Sequence, residues 1–379
     1  MDFLKKVLPV YVDDDRMKEK GFFTNFFHVR PEYYTNAEYV EVDVKRGSRK
    51  IAPTLRDWRT GAPVVIPNSW KENKFKPPYS AMKDPVDLSE LMQRQFGETD
   101  DGEPLSDYLG RQVMTRSGNE IGFWFGRLSN IITATLKDYH EMFMRTMELQ
   151  CSQAMQSGTI TLKDDEGNTS YNIDFGMKAT HKPGVSVNWG ASGATPCEDV
   201  EALCNVVAND GQCQPEILIL GNTAWKHLLA DSTFQSRVKK DGLGLGSVVP
   251  SLRKNGGIYH GTCDFGNHVL EIWTYGGTYQ NLASNTDVPY LGEHSAIVTA
   301  RPESLDFRLV FGGIPRVHAM DEPFREVVPP TVVYPGSIKV YNRVWEDKEK
   351  DTYTAESKMR GLAVPVSIDK FGCINTHSN

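Results

Sequence analysis

Three glycines in Gly242-Leu243-Gly244-Leu245-Gly246 are spaced as in a loop whose backbone N–H groups could cradle a phosphate. No Lys-Ser/Thr pair follows them and no strand pattern leads directly into them, so Asp241–Gly257 reads as a glycine-rich loop. A serine nucleophile would need a G-x-S-x-G turn and a zinc hydrolase an H-E-x-x-H helix, and the chain contains neither. Its nine histidines are scattered along the sequence. His260 and His268 flank the Gly266-Asn267 turn, but hairpin pairing would set His260 roughly opposite Trp273. A metal ion needs three or four converging ligands, so these histidines are expected at the surface or at interfaces. The six cysteines (Cys151, Cys197, Cys204, Cys213, Cys263 and Cys373) form no C-x-x-C pair and are too sparse for a disulfide framework. They read as free thiols, open to bridging between copies only in an oxidising medium. The carboxylates of Asp13–Asp15 and Asp164-Asp165 lie in arm and turn sequence, where solvated charge is expected. No catalytic, cofactor-binding or metal-binding residue is therefore assigned, and no enzyme activity is expected.

The positioning elements are more informative. From Asn119 to Ser157 there is no proline, and Ile121, Phe125, Leu128, Ile132, Leu136, Tyr139, Phe143 and Met147 recur at steps of three or four. That pattern predicts one amphipathic helix, ending at Gly158 as a left-handed cap. At 1.5 Å per residue it would be a strut of roughly 50–60 Å. The chain has 379 residues, 39% hydrophobic and 24% charged, enough to bury a core in two or three domains. Its net charge of −7 argues against a dedicated nucleic-acid binder. No run of about eighteen apolar residues occurs, so no membrane span is expected. The opening residues lack a signal-peptide apolar core, which places folding in a cytosol.

Residues 1–38 read as an arm, polar up to Lys20 and then aromatic at Phe22, Phe23, Phe26 and Phe27. Tyr39–Val44 alternates as a strand. A basic run and a Pro/Arg/Trp-rich stretch follow, with Val64–Ile66 as a short strand, and together they read as a long two-stranded loop. Trp and Arg are favoured interface anchors, so Arg56, Trp58, Arg59 and Trp70, with the four phenylalanines, are the candidate subunit-interface residues. A solvated basic face is the alternative for the loop. Asp87–Phe96 reads as a short helix. Thr159–Leu162 and Tyr171–Phe175 read as strands joined by a turn. Thr195-Pro196-Cys197-Glu198 has the form of a capping box opening a helix to about Asn209. Pro215–Gly221 reads as a buried strand, with Asn222 capping a helix over Thr223–Ala230 and another helix near Ser232–Lys240. Strands are expected at Ile258–Cys263, Val269–Tyr275, Ser295–Ala300, Val340–Trp345 and Gly361–Ile368, the last two separated by the charged Glu346–Lys350. The fold class is α+β with an α/β region after residue 195.

The order of arm, β-loop, long helix, α/β region and returning strands resembles the HK-97 capsid fold. More closely, the chain resembles the lambda-type phage major capsid protein E family. The resemblance lies in Phe22–Phe27 leading to Glu38-Tyr39-Val40, and in Glu216–Trp225, where a strand turns into a helix. It continues in Tyr259–Gly261 through Val269, Tyr275–Tyr279 and Val288–Gly292, and in Gly361–Val366.

This resemblance implies an N-terminal arm at 1–38 and an extended loop at 39–86. It implies a peripheral domain with the spine helix at 87–195, an axial domain at 196–315, and strands returning to the peripheral domain at 316–379. It implies hexamers and pentamers in an icosahedral shell around double-stranded DNA, within a virion assembled in the host cytoplasm. A separate scaffolding protein is implied because no extra coiled-coil segment precedes the arm; a portal protein and a cementing protein are further implied partners. No cofactor and no Lys–Asn crosslink are implied. Two alternatives stay open: a nanocompartment shell enclosing protein cargo on the same fold, and a soluble β-rich hydrolase.

Overall fold

The computed structural model describes residues 21–35, 39–46, 69–86, 120–164, 166–240, 251–252, 256–281, 283–313, 340–347 and 352–377. After a 3₁₀ turn at Phe23–Phe26 come β1 (Tyr34–Thr35), β2 (Val40–Arg46), β3 (Ser69–Phe75) and β4 (Ser80–Val86). The long helix α1 (Glu120–Ser157) leads into β5 (Thr159–Lys163) and β6 (Thr169–Asp174). Next are α2 (Pro196–Gly211), β7 (Ile217–Leu220), α3 (Asn222–Ala230) and α4 (Ser232–Lys240). Strands β8 (Ser251–Leu252), β9 (Gly257–Phe265), β10 (His268–Tyr275), β11 (Thr278–Gln280), β12 (Asp287–Pro289), β13 (Ser295–Thr299) and β14 (Phe307–Gly312) follow. The chain closes with β15 (Val340–Asp347), β16 (Thr352–Met359), β17 (Gly361–Pro365) and β18 (Phe371–Asn375).

Contacts divide the chain into two compact units. Among the described residues, one takes those within 78–144 and 313–361; the other takes those within 19–77, 145–312 and 362–379. In the first, β15, β16 and β4 form an antiparallel sheet with β16 in the middle. Thr354, Ala355, Ser357 and Met359 of that central strand are buried.

The second unit is built on a six-stranded sheet in the order β18-β13-β7-β10-β9-β8. Strand β7 is Ile-Leu-Ile-Leu and every one of its residues is buried, as a central strand covered on both faces requires. It pairs parallel with β10 and antiparallel with β13. Val200, Leu203, Cys204 and Val207 of α2 pack with Leu218, Leu220, Leu270, Ile272, Ala296 and Val298 into one core. Strand β18 pairs with β13, so the last described strand completes this sheet.

Helix α1 begins at Glu120 and ends at Ser157, close to the expected span. Ile132, Leu136, Tyr139, Phe143 and Met147 of its predicted stripe are buried. Gly158 stands at φ +67°, and its N–H donates to Ala154 O at 3.0 Å, as a left-handed cap requires. Two cap expectations fail. Thr195 makes no side-chain cap; its carbonyl instead accepts the N–H groups of Glu198 and Asp199. Asn222 lies inside α3, whose N-cap is Gly221 without a side-chain bond. The β9–β10 register shifts beside Trp273, which faces Tyr259 and leaves His260 in the bulge. The expected strand at Val64–Ile66 and helix at Asp87–Phe96 lie outside the described residues.

Candidate assembly site

Phe22, Phe23, Phe26 and Phe27 are 0–6% exposed within the protomer. Phe22 stacks on Tyr275 with ring centres 4.8 Å apart, and Phe23 meets the same ring edge-on at 5.4 Å. Phe27 lies against Phe307, which in turn meets Phe371. The aromatic cluster therefore seats the arm on its own subunit's sheet, and these rings present almost no surface to a neighbour. Close approach explains two glycines. A Cβ at Gly21 would strike Thr24 and Glu148, and a Cβ at Gly257 would enter the Phe22 ring.

The polar side of this seat is Glu148 of α1, only 3% exposed. Its carboxylate accepts the Phe23 N–H at 2.7 Å, the Thr24 N–H at 2.9 Å and the Thr24 hydroxyl at 2.7 Å. Three donors on one buried carboxylate offset much of its desolvation. Burial, and then the nearby Glu148 charge, push the Tyr275 phenol far above its ordinary range. The same two causes, in that order, push the Tyr290 phenol up to about 12.

Glu148 is one of five polar residues on the last three turns of α1 that reach into other segments. Gln150, fully buried, accepts the Ala363 N–H at 3.2 Å. Ser152 Oγ donates to Tyr290 O at 2.6 Å. Gln153 accepts the Thr161 N–H at 2.9 Å. Gln156 donates to Tyr290 O at 2.8 Å and accepts the Gly292 N–H at 3.0 Å. The helix end is thus a hub that fixes the arm, the β5 strand, the Tyr290–Gly292 turn and β17 through their backbones. The apolar periodicity of α1 reveals its packing stripe but not this ladder, since polar residues off the stripe look solvent-facing. The useful signal was the polar density itself, with Glu148, Gln150, Ser152, Gln153 and Gln156 within nine positions.

Beyond the 3₁₀ turn, the arm runs along β14. His28 N donates to Phe307 O at 2.8 Å, Leu309 N donates to His28 O at 3.0 Å, and Tyr34 and Thr35 pair parallel with Phe311 and Gly312. Strands β2 and β3 pair antiparallel, placing Trp70 opposite Lys45 on the backbone ladder. Arg56, Trp58 and Arg59 lie outside the described residues.

Among the described residues, one set of ligand-type side chains converges that the sequence leaves scattered. His181, Asp210 and Asp369 form it. There the Lys178 ammonium bridges both carboxylates, at 2.7 and 3.5 Å, and His181 lies 3.2 Å from Asp210. That lysine already supplies the positive charge the acids call for. The His294 ring lies 6.4 Å from that of His227 and 5.0 Å from that of His377, centre to centre. Of the hairpin pair, His260 stacks on Trp225 and bonds Thr274, while His268 lies between Gln214 and Asn205. None of the six cysteines is in a disulfide.

The hub thus ties an N-terminal arm and several strands to the end of a 38-residue helix. The sequence pattern of the family described as phage major capsid protein E matches residues 16–119 and 126–371. The chain belongs to the phage major capsid protein E family. The fold agrees: a prophage capsid protein from E. coli CFT073 superposes with a TM-score of 0.61 at 16% identity, covering 97% of each chain. This is the HK-97 type of capsid fold. Two further structures align more loosely. One is from Gordonia phage Cozz, with a TM-score of 0.45, 10% identity and coverage of 96% of this chain and 88% of that one. The other is the holo-SrpI encapsulin complex from Synechococcus elongatus PCC 7942, with a TM-score of 0.38, 10% identity and coverage of 97% and 93%. No curated protein matches the chain. A major capsid protein builds a shell from copies of itself, so the first partner of this capsid protein is another copy, and its place is the virion. No helix among the described residues is long and apolar enough to cross a membrane.

Proposed function

We propose that this capsid protein assembles as hexamers and pentamers into an icosahedral shell around the double-stranded DNA of a tailed phage. Its role is structural, not enzymatic. Assembly would proceed in the host cytoplasm with a separate scaffolding protein and a portal, and the finished shell would accept a cementing protein. Residues 196–315 would form most of the axial domain and 87–195 the peripheral domain. Residues 39–86 would form an extended loop laid over a neighbour, with Arg56, Trp58, Arg59 and Trp70 as its anchors. The family match across most of the chain carries this reading.

The hub at Glu148 supports a division of labour within the arm. Residues Gly21–Phe27 are seated on the protomer, and the grip on a neighbour is assigned to residues 1–20. Many weak contacts repeated around a closed symmetry hold a shell far beyond the strength of one interface. The net charge of −7 suits a container that must not bind its polyanionic cargo tightly.

Deletion of residues 1–20 tests this. The truncated protein should fold with unchanged circular dichroism and fail to close particles in electron micrographs. Normal closed shells from that variant would contradict the assigned role of the arm. Particles packed with protein and free of DNA in infected or induced cells would favour the nanocompartment alternative.

A further inference from the structure

A cleft of about 520 Å³ opens between the arm and the turn that leads into β14. His28, Arg30 and Glu32 line one wall, and Glu303, Asp306 and Arg308 line the other. The walls are fixed to each other: His28 bonds Phe307 and Leu309 through the backbone, and its Nε2–H donates to Pro302 O at 3.1 Å. Tyr33 and Leu305, which also line the cleft, are buried. The cleft is thus formed before anything enters it.

Both of its guanidiniums are already engaged. Arg308 grips Asp306 with two bonds, at 2.8 and 2.7 Å, and lies over the Tyr33 ring. Arg30 reaches Glu32 at 3.4 Å with side chains 59% and 63% exposed, a weak pair open to exchange. Glu303 is exposed, and its carboxylate has no partner among the described residues. Three carboxylates against two guanidiniums leave the cleft one negative charge, and that charge sits at Glu303. A metal ion does not answer it, because among the described residues ligand atoms converge only at the His181 group.

We propose that this cleft receives the basic run at residues 45–50 of a second copy, with a lysine ammonium of that run against Glu303. The proposal rests on the shell reading, in which residues 39–86 lie over a neighbour, and names where on the neighbour they dock. The run, Lys-Arg-Gly-Ser-Arg-Lys, carries four cations and no acid in six positions. Lower in the ribbon Glu41 is matched by Lys74 at 2.8 Å. Lys45 and Arg46 stand opposite Trp70 and Ser69 on the backbone ladder, so β3 sets no acid across from them. Tyr33 and Leu305 offer apolar surface to the methylenes of a lysine, while Glu303 takes its head. Charge pairs at such a rim fix register and reject wrong partners more than they add affinity.

Zero-length crosslinking tests the contact. Particles assembled from an equal mixture of unlabelled and ¹⁵N-labelled full-length chains are treated with a water-soluble carbodiimide, which joins a carboxylate to a lysine amine only where the two touch. Peptide mass spectrometry should find Glu303 joined to Lys45 or Lys50, with mixed-isotope pairs among the products. Glu303→Gln should fold as the parent does by circular dichroism and lose that product. Glu303→Lys should lower the yield of closed particles severalfold, and adding Lys45→Glu and Lys50→Glu should recover it. Products confined to single-isotope pairs would put the run in its own chain's cleft. Normal particles in which Glu303 joins no lysine, or one elsewhere, would deny the cleft this partner. Either result overturns the proposal while the shell reading stands; no particles from the parent would remove both.

Discussion

The β7–β13 core and the end of α1 hold the same unit together by opposite means. In β7 and β13 the work is done by Leu218, Ile219, Leu220, Ile297 and Val298, all fully buried and apolar. At the end of α1 it is done by single hydrogen bonds from polar side chains to the backbones of distant segments. Apolar burial is non-directional and sets how stable the sheet is. Directional bonds set where a segment lies. A shell subunit has use for both: a body that does not melt, and an arm whose seat is specified by few contacts.

The contrast can be broken at either end. Leu218→Ala should lower global stability by about 2–5 kcal/mol, because a close-packed central strand cannot collapse into the cavity. Chemical denaturation should show one transition moved as a whole. Glu148→Ala should act locally. It leaves the Phe23 and Thr24 N–H groups without their acceptor, at about 1–3 kcal/mol each, and should expose residues 21–28 to protease while exchange in β7 stays slow. If β7 exchange accelerates as much as cleavage of the arm, the two regions are not separable. Gln156→Ala removes both bonds to the Tyr290–Gly292 turn and should cost about 1–2 kcal/mol, read as a lower Tm.

Thiol labelling sharpens the core side. Burial pushes Cys204 and Cys373 up to about 12 and Cys151 well above its ordinary range, which starves all three of thiolate. At pH 8 a maleimide should modify Cys213, which is half-buried, and spare these three until the protein unfolds; mass spectrometry of peptides would tell. The smallest expected effect is at Asp210. The Lys178 hydrogen bond is the main cause holding its carboxyl below the ordinary value; desolvation opposes it and His181 assists. A depressed folded pKa stabilises above the unfolded value and is lost as pH falls through the folded one. Asp210→Asn should therefore flatten the acid limb of the Tm–pH curve, by under about 1 kcal/mol because the carboxylate is one-third exposed.

Legibility in the sequence followed the same divide. The α1 stripe, β7, the β9–β10 hairpin and β13 were readable, because apolar periodicity is a local record of burial. Strands β1, β3, β4, β8, β11, β12, β14, β16 and β18 carry no such record. Strand β16, Thr-Tyr-Thr-Ala-Glu-Ser-Lys-Met, carries small polar residues where a central strand usually shows apolar ones. Strand β18, Phe-Gly-Cys-Ile-Asn, follows a turn and is short. The seat of the arm was half legible: the phenylalanines marked it, but burial against a subunit's own sheet and burial against a neighbour look alike in sequence. Glu148 was invisible because its partners are 124 and 125 residues away.

Electron microscopy of the purified, concentrated protein, and of cells that make it, tests the central claim most directly. Closed isometric particles of uniform diameter, disrupted by removal of residues 1–20, are predicted. A homogeneous monomer under every such condition, with no shells in the cells that make it, would contradict the account.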